Sequence, residues 1–423
     1  MRELSIQSPK FLEGTRKPSR LDKLARRIVR RRMESIRDGQ IVVSENGRHE
    51  TFGNLTPAMP LTAQLTIKDP RFYSEVAFGG VIGSGEAFIH DYWSCDELTT
   101  LVRILLRNRD VLTDMNSGAA ILTRPLQRLF HRLNRNTKDG SRRNISAHYD
   151  LGNDFYQLWL DDRMMYSSAV YERPDMPLEI ASTAKLDRIC RKLRLTADDH
   201  LVEIGSGWGG FAIYAAKNYG CRVTTTTISE QQHEYARDAI AAAGVEDRVE
   251  LLFRDYRDLD GQYDKLVSIE MIEAVGWQFH DTFFRKCSDL LKPDGEMLLQ
   301  AITMADQYYE GYKNTVDFIR RYIFPGGCLT SVTAMSETLT RVTDMRSVHI
   351  EDIGPHYATT LRDWRERFNA KLDEVRALGY SDEFIRMWTY YLCYCEGAFI
   401  ERTIGNVQMH IAKPDARPDV VGF

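Results

Sequence analysis

The residues best suited to chemistry lie in the segment His200–Gly210, HLVEIGSGWGG. Four residues of strand character end at Glu203, and Gly205, Gly207 and Gly210 follow before an apolar pattern of helical spacing. Glycines in such a turn let the backbone approach a nucleotide closely, and the free N–H groups at the start of the helix can bind it. The spacing therefore predicts a site for a nucleoside cofactor.

The position of the acidic residue distinguishes two classes of nucleoside cofactor. Proteins that bind a dinucleotide at a G-x-G-x-x-G turn carry an Asp or Glu about 20 residues further on. Here the second strand, which begins at Cys221, ends in threonines and a serine. The acid comes early instead, as Glu203, in the E-x-G-x-G pattern of S-adenosylmethionine-dependent methyltransferases. We predict S-adenosylmethionine, with a dinucleotide and a plain tight turn as the alternatives.

Length and composition limit the class of protein. A chain of 423 residues is long enough for two or three domains, and its 43% hydrophobic content can form a core. No stretch approaches 18 uninterrupted apolar residues, and the first residues lack the apolar region of a signal peptide. The seven cysteines contain no C-x-x-C pair. We therefore expect a cytoplasmic protein with reduced cysteines and no bound metal.

Positive charge is concentrated in the first third of the chain. The net charge is −4, yet the residues up to Arg143 contain 25 Lys and Arg against 16 Asp and Glu. Between Arg16 and Arg37, basic residues accompany apolar ones near helical spacing, which suits a helix lying on an anionic membrane surface. A solvated helix packed on its own domain is the alternative. Nucleic acid is disfavoured because no aromatic residues lie between the arginines.

The next segment of the chain is predicted to form a small α+β domain. Between Gln40 and Trp93, β-rich pieces (IVVS, LTAQLTI and FYSEVAFGG) alternate with glycines and polar turns, and a helix is expected over Cys95–Asn108. It contains no catalytic constellation, so binding or assembly is its expected role. A second basic amphipathic segment follows at Ala119–Arg135, and the polar run Asn134–Asn144 is the expected domain boundary. We therefore predict domains at 1–115 and 145–423, joined by a basic helix and linker at 116–144.

Motifs beyond that boundary resemble those of the cyclopropane fatty acid synthase family. They come in family order between His148 and Phe399: HYDLGNDFYQLWLDDRMMYSS, LVEIGSGWGG, TTISEQQ, RDYRDL, SIEMIEAVG, YIFPGG, HYATTLRDWRERF and FIRMWTYYLCYCEGAF. The first third resembles that family's N-terminal lipid-binding and dimerising domain less specifically. The resemblance implies an α/β fold, with a Rossmann-like class I methyltransferase domain that contains a helical insertion, preceded by a smaller α+β lipid-binding domain.

The resemblance also implies a reaction and a site for it. Family members transfer the methyl of S-adenosylmethionine onto the cis double bond of an acyl chain, usually in membrane phospholipid, and lose a proton to close a cyclopropane. Such chemistry needs dry surroundings and electron-rich faces beside a carbocation. The aromatic candidates for this role are Tyr149, Tyr166, Phe324 and Tyr357.

Ring closure needs a proton acceptor, for which the resemblance implies a bound bicarbonate held by Cys, Glu, His and Tyr. Glu273 and Tyr357 match two of these positions, whereas Ser168 replaces the Cys and Gln300 replaces the His. Both replacements keep hydrogen-bonding groups, so a bicarbonate site could survive. Alternatively, deprotonation follows another course and the product is a methyl-branched or methylene lipid. We expect ring formation.

The cofactor residues implied by the resemblance follow the strand ends. Glu203, Gly205 and Gly207 form the loop beneath the methionine part, and Thr227 with Gln232 meets the ribose. The remaining positions are Tyr166 and Ser167, which close over the cofactor, and Asp255, Tyr256 and Ile269, which border the adenine.

The sequence also predicts an insertion, a core stripe, and the oligomeric state and partners of the protein. The segment Ile302–Arg321 is an insertion over the carboxyl edge of the sheet and part of an acyl channel. The stripe Phe384, Trp388, Tyr391 and Phe399 belongs to the core. The protein acts as a homodimer at the inner face of the cell membrane, on unsaturated phospholipid, with no nucleic acid partner. A lipid-carrying protein with a degenerate pocket is the non-enzymatic alternative.

Overall fold

The computed structural model describes residues 17–109, 136–138, 140–141 and 151–418. The chain forms two compact units, of which the first contains residues up to Glu97 and the second contains Leu98–Arg107 and the residues from Leu122 onward. The predicted segment Ala119–Arg135 and the predicted site residue Tyr149 lie outside the described residues. No helix in the described part of the chain is long and apolar enough to cross a membrane.

The first unit is a small α+β fold. Its elements are α1 (Arg20–Met33), β1 (Gly39–Glu45), β2 (Arg48–Asn54), β3 (Thr62–Ile67), α2 (Arg71–Ile89) and β4 (Trp93–Cys95). The four strands form one sheet in the order β2-β1-β3-β4, in which β1 and β3 are parallel and the other pairs are antiparallel. The strands predicted at IVVS and LTAQLTI are thereby confirmed.

Helix α1 confirms the predicted basic amphipathic helix. Ser19 caps its first turn by a reciprocal pair of hydrogen bonds with Asp22. Ala25 and Val29 are buried, and α1 packs against α2. The opposite side, which includes Leu21, is exposed to solvent. The helix is therefore anchored by one face and presents the other.

The strand predicted at FYSEVAFGG is wrong, because this segment lies inside helix α2. Its buried residues Phe72, Val76, Gly80 and Gly83 recur every three or four positions, which is the spacing of one helix face. Aromatic and β-branched residues favour strands only weakly, and burial against a packed face overrides that preference. The helix is kinked at Gly80, whose φ of 60° suits glycine.

The second unit contains twelve further α-helices, counted over its described residues, and a seven-stranded sheet. These are α3 (Leu98–Arg107), α4 (Asn153–Gln157), α5 (Leu178–Lys192), β5 (His200–Ile204), α6 (Gly210–Tyr219), β6 (Arg222–Thr227), α7 (Glu230–Ala243), β7 (Val249–Phe253), β8 (Tyr263–Ile269), α8 (His280–Leu290), β9 (Leu291–Met304), α9 (Asp306–Tyr312), α10 (Phe318–Tyr322), α11 (Val332–Val342), β10 (Arg346–Asp352), α12 (Gly354–Ala370), α13 (Leu372–Ala377), α14 (Asp382–Ile400) and β11 (Ile404–Ala412). Helix α3 confirms the helix predicted near Cys95–Asn108.

The order of the strands locates the functional edge of this sheet. The order is β10-β11-β9-β8-β5-β6-β7, with the run from β9 to β7 parallel and β10 and β11 antiparallel. The chain leaves β5 toward β6 on one side, and β8 lies on the other. Ligands of open α/β sheets bind at such a switch point, beyond the carboxyl ends of the strands. The segment Ile302–Arg321, expected to be an insertion, contains the end of β9, helix α9 and most of helix α10.

Three of the four residues of the predicted core stripe of α14 are buried, whereas Phe384 is only partly buried. Trp388, Tyr391 and Phe399 are each less than 5% exposed, and Trp388 packs edge-to-face on Phe155 of α4 at a centroid distance of 5.0 Å. Edge-to-face contacts of this kind stabilise a core beyond the area they bury. This packing joins α4 and α14 through their buried aromatic side chains.

The kink in α2 generates a test of the fold. A Cβ added at Gly83 would lie 2.1 Å from the carbonyl oxygen of Glu75, whereas one added at Gly79 would meet no atom within 4 Å. Gly83→Ala should therefore lower the free energy of unfolding by about 3 kcal/mol, because the backbone must shift. Gly79→Ala, the matched control, should change it by less than about 1 kcal/mol. Thermal unfolding followed by circular dichroism measures both, and equal midpoints would contradict the kinked packing.

Candidate active site

The predicted glycine turn joins β5 to α6 at the carboxyl edge of the sheet. Gly205 and Gly207 have φ of 97° and 50°, values that favour glycine. A Cβ added at Gly210 would lie 2.6 Å from the sulfur of Met165 and 3.0 Å from the carbonyl oxygen of Arg163, so a larger residue would require the Met165 side chain to move. A Cβ added at Gly207, by contrast, would meet no atom within 4 Å. Open space therefore lies beside the turn, at the start of a helix.

Glu203 ends β5 as a buried carboxyl group. It is 2% exposed, and its Oε2 accepts a hydrogen bond of 2.6 Å from the Thr225 hydroxyl. Burial raises the pKa of Glu203 to about 8. Nearby, the fully buried Lys185 donates to the Ser167 hydroxyl at 2.8 Å, and burial lowers its pKa to about 8. Two buried titratable side chains, Glu203 and Lys185, therefore lie next to the glycine turn.

The predicted ribose residues lie together at the end of β6. The Thr227 hydroxyl donates to the side-chain oxygen of Gln232 at 3.1 Å, and both residues are less than 10% exposed. Helix α7 is capped by Ser229, whose hydroxyl accepts from the Gln232 amide. S-adenosylmethionine carries a cationic methionine part and a ribose. The site fits both parts, since it has a polar pair at this edge, an acid in β5 and free N–H groups at the start of α6.

Of the residues expected at the adenine, Asp255 and Tyr256 follow β7, and Ile269 ends β8. Asp255 is 3% exposed, and its carboxylate pairs with the Arg257 guanidinium through contacts of 2.8 and 2.6 Å. Burial opposes ionisation of Asp255, but Arg257 lowers its pKa below the usual value. Tyr256 packs edge-to-face on Phe283. Ile269 lies at the end of β8, paired with Gln300 in the sheet register, and packs against a buried apolar cluster.

The centre of the site is Glu270, a residue that the sequence interpretation did not single out. Its Oε1 accepts from the Ser168 backbone amide at 3.0 Å, from Nε2 of Gln300 at 2.8 Å and from Nδ2 of Asn406 at 2.6 Å. Its Oε2 accepts from the Tyr357 hydroxyl at 2.9 Å. We call Glu270 and its four donors the Glu270 cluster. The cluster unites three of the predicted catalytic residues around a carboxylate.

The backbone of Glu270 is held in an unusual conformation. Its φ is 49°, in the left-handed region that costs a non-glycine residue about 1 kcal/mol or more. Its amide donates to the carbonyl oxygen of Gln300 at 2.8 Å, which fixes this geometry. Strain of this kind persists where the surroundings over-determine it, and it is frequent at functional sites.

Glu273, predicted to hold the base, lies one turn further on. Its Oε1 accepts from the Ile302 amide, and its buried Oε2 has no hydrogen-bond partner among the described residues. Burial raises the pKa of Glu273 to about 8, and the neighbouring charge of Glu270 adds to this effect. The buried carboxyl group of Glu273 therefore favours its protonated form at neutral pH.

An aromatic wall borders the Glu270 cluster. The rings of Tyr166 and Trp364 lie 5.4 Å apart, those of Tyr166 and Phe324 6.1 Å apart, and those of Tyr357 and Trp364 5.8 Å apart. The Tyr166 hydroxyl lies 2.9 Å from that of Tyr391. Predicted residues Tyr166, Phe324 and Tyr357 are thus brought together with Trp364, which completes the wall.

The donors expected for a bicarbonate are already occupied. Ser168, Gln300 and Tyr357 all donate to Glu270, and Asn406 joins them. A separate bicarbonate would compete with this carboxylate for the same hydrogen atoms. The cluster therefore does not fit an additional anion while Glu270 remains in place.

Two members of the cluster were missed from the sequence for different reasons. Glu270 stands three residues before Glu273 in the motif SIEMIEAVG, so two carboxylates directly after a strand were a detectable signal. Asn406 lies in β11, far along the chain, and reaches the site only because β11 pairs with β9. No local pattern around Asn406 indicates this.

Comparison with known proteins identifies the family. Residues 136–409 match the family model for mycolic acid cyclopropane synthetase. The chain is 39% identical over 328 residues to tuberculostearic acid methyltransferase UfaA1 of Mycobacterium tuberculosis, which covers 76% of each chain. It is 38% identical over 348 residues to cyclopropane-fatty-acyl-phospholipid synthase of Escherichia coli, which covers 81% of this chain and 86% of the relative.

Solved structures agree with the sequence matches. The cyclopropane synthase MmaA2 from Mycobacterium tuberculosis is 30% identical with a TM-score of 0.60, and covers 64% of this chain and 98% of its own. The mycolic acid cyclopropane synthase CmaA1 complexed with SAH and CTAB is 31% identical with a TM-score of 0.61, with the same coverage. These matches confirm the predicted class I methyltransferase fold and the predicted S-adenosylmethionine cofactor.

The Glu270 cluster predicts a large effect of a small substitution. Glu270→Gln keeps the shape, since its oxygen can accept from the three N–H donors while its NH₂ faces the Tyr357 hydroxyl. Turnover should fall by about 10² to 10⁴-fold, the usual contribution of a general base, with cofactor affinity unchanged. Methyl-transfer kinetics and calorimetric titration with the cofactor measure the two effects.

Glu273→Gln is the matched control. It resembles the protonated form that burial favours at Glu273 and keeps an acceptor for the Ile302 amide. Its loss of turnover should be under about tenfold. Equal losses in the two variants, or a larger loss at Glu273, would contradict the assignment of Glu270.

Proposed function

Because this chain belongs to the mycolic acid cyclopropane synthetase family of S-adenosylmethionine-dependent methyltransferases, we propose that it converts unsaturated phospholipid into cyclopropane lipid. A methylene group is added across the cis double bond of an acyl chain. The observation that carries the proposal is the Glu270 carboxylate beside the aromatic wall, which joins a proton acceptor to groups that stabilise a cation. The name of the relative from Escherichia coli, cyclopropane-fatty-acyl-phospholipid synthase, supports the substrate class.

The residues of the wall act before the base. The cofactor, when bound, supplies a methyl group on a sulfonium ion. Transfer of that methyl would break its bond to sulfur, which keeps the electron pair, would form one C–C bond from the π electrons of the double bond, and would leave a positive charge on the neighbouring chain carbon. The faces of Tyr166, Phe324 and Tyr357 stabilise that charge and exclude the water that would react with it.

Glu270 completes the reaction. Its carboxylate accepts a proton from the added carbon, and the electron pair of the broken C–H bond closes the ring. A carbocation is very acidic, so a carboxylate held by four donors is a sufficient base. In this proposal Glu270 takes the role of the bicarbonate that the resemblance implied, which accounts for the replacement of Cys and His by Ser168 and Gln300.

A second product is favoured by a separate observation. The relative with 39% identity is named tuberculostearic acid methyltransferase, and methylation of that kind leaves an open chain. If a hydride first shifts from the methyl-bearing carbon to the neighbouring cationic carbon, loss of a proton from the added methyl to Glu270 gives a methylene lipid of identical mass. A saturated methyl-branched chain would further need a reductant.

Helix α1 supports a membrane partner for the first unit. Leu21 is 53% and Leu24 52% exposed, and the exposed side chains Arg27 and Arg31 lie on the following turns of the same helix. Exposed leucines flanked by arginines suit insertion at an anionic lipid surface. We therefore place the enzyme peripherally at the inner face of the cell membrane. The homodimer expected from the resemblance stays a prediction.

Product analysis tests the proposed reaction. The purified protein is incubated with S-adenosylmethionine and vesicles of unsaturated phospholipid, and the fatty acids are separated by gas chromatography with mass detection. A species heavier by one CH₂ that resists hydrogenation is the expected cyclopropane. A species of that mass which takes up hydrogen supports the methylene product, and the absence of any heavier species contradicts both.

Vesicle sedimentation tests the membrane surface. Reversing two charges with Arg27→Glu and Arg31→Glu should weaken binding to phosphatidylglycerol vesicles by more than about tenfold, since each basic residue contributes about 1 kcal/mol near such a surface. Binding by the unaltered protein should also fall at high salt. The control Lys217→Glu with Arg222→Glu makes the same charge change at exposed positions of the second unit. Equal weakening in both double variants would contradict a role for α1.

A further inference from the structure

A buried hydrogen-bond chain leads from Lys192 to Glu270. Nζ of Lys192, at the end of α5, donates to Oε1 of Gln408 at 2.7 Å. Nε2 of Gln408 donates to Oε1 of Gln300 at 3.0 Å, and Nε2 of Gln300 donates to Glu270 at 2.8 Å. Lys192, Gln408 and Gln300 are each 0% exposed. All three donors therefore point along one direction, toward the carboxylate.

The direction of this chain depends on its first member. The two ends of a glutamine amide have nearly the same shape, so packing alone does not decide which end faces a neighbour. Lys192 has donors only, so Gln408 must turn its oxygen toward it and its NH₂ toward Gln300. Gln300 then has to present its NH₂ to Glu270. With the opposite orientation, an amide oxygen would face the carboxylate.

We infer that Lys192 is a positioning residue for the reaction, acting through the two glutamine amides on the carboxylate of Glu270. This inference rests on the proposed function, in which Glu270 accepts the proton. Lys192 is joined to Glu270 through the side chains of Gln408 and Gln300. Its role is to fix the amide orientation that supports the charged form of the base.

The surroundings of both ends keep their charges in place. Glu351 on β10 pairs with Lys192 and with Arg188, and these hydrogen bonds lower the pKa of Glu351 to about 2 in spite of its burial. Burial lowers the pKa of Lys192, and the pair with Glu351 opposes that effect. The charged and titratable groups that face Lys192 are Arg188, His349 and Glu351. Those that face Glu270 are Lys185, Glu273 and Tyr357.

Lys192→Met tests the inference, since it keeps the length of the side chain and removes the donors. We expect kcat to fall by about tenfold with KM for cofactor and lipid unchanged, which corresponds to one lost hydrogen bond on the base. The acid limb of the pH–rate profile should move to higher pH by about one unit, because the ionised base loses support. The control is Lys265→Met, which removes a largely buried lysine paired across the sheet with Glu296. This variant should change neither kcat nor the acid limb of the pH–rate profile.

Gln408→Glu separates positioning from stability. A carboxylate at this position strengthens the attraction to Lys192 but has no hydrogen to donate to Gln300. The variant should therefore fold with an unchanged or higher thermal midpoint and still show the lowered kcat and the shifted acid limb. A normal pH profile in this variant would overturn the inference, even if Lys192→Met failed to fold. Product formed by the unaltered protein in the same assay shows that the proposed function holds. Failure of the proposed function is therefore distinguishable from failure of the inference about Lys192.

Discussion

The ring of hydrogen bonds around the partly buried carboxylate of Glu270 is the interaction on which the rest of the site depends. An enclosed anion without partners costs several kcal/mol, so it persists only where enough donors surround it. Here the donors come from four separate parts of the chain, namely Ser168, Gln300, Asn406 and Tyr357. Each of these segments must be correctly placed before the ring of donors around Glu270 is complete. The chemistry of the site and the completion of the fold are therefore coupled.

The sheet explains how such distant groups meet. Parallel strands β5, β6 and β8 deliver the glycine turn, the Thr227–Gln232 pair and Glu270 to one edge. The antiparallel strand β11 then pairs with β9 so that Gln408 lies directly opposite Gln300. This register aligns the amides of the chain from Lys192. An antiparallel strand added to a parallel sheet thus contributes polar side chains to the centre of the site.

Local pattern accounts for what the sequence predicted correctly. The glycine turn, Glu203 and the buried stripe of α14 follow from spacing within a few residues, and each is present in the fold. The strand predicted inside α2 was wrong because its aromatic and β-branched residues suggested a strand while their spacing fitted a helix. Intrinsic preference was outweighed there by burial of one helix face.

The choice between two neighbouring carboxylates was beyond a local pattern. Glu270 and Glu273 follow the same strand, and the resemblance pointed to Glu273 alone. Which of them enters the ring of donors depends on the left-handed backbone at Glu270 and on Asn406, more than a hundred residues away in sequence. Both are consequences of the assembled fold.

The most direct test of the account is the dependence of turnover on bicarbonate. The central claim is that the carboxylate of Glu270, and not a bound ion, accepts the proton. Turnover of the unaltered protein is measured in buffers freed of carbon dioxide, with and without added bicarbonate. If Glu270 accepts the proton, the rates are equal under both conditions. A rate that falls on depletion and recovers in proportion to added bicarbonate would contradict it.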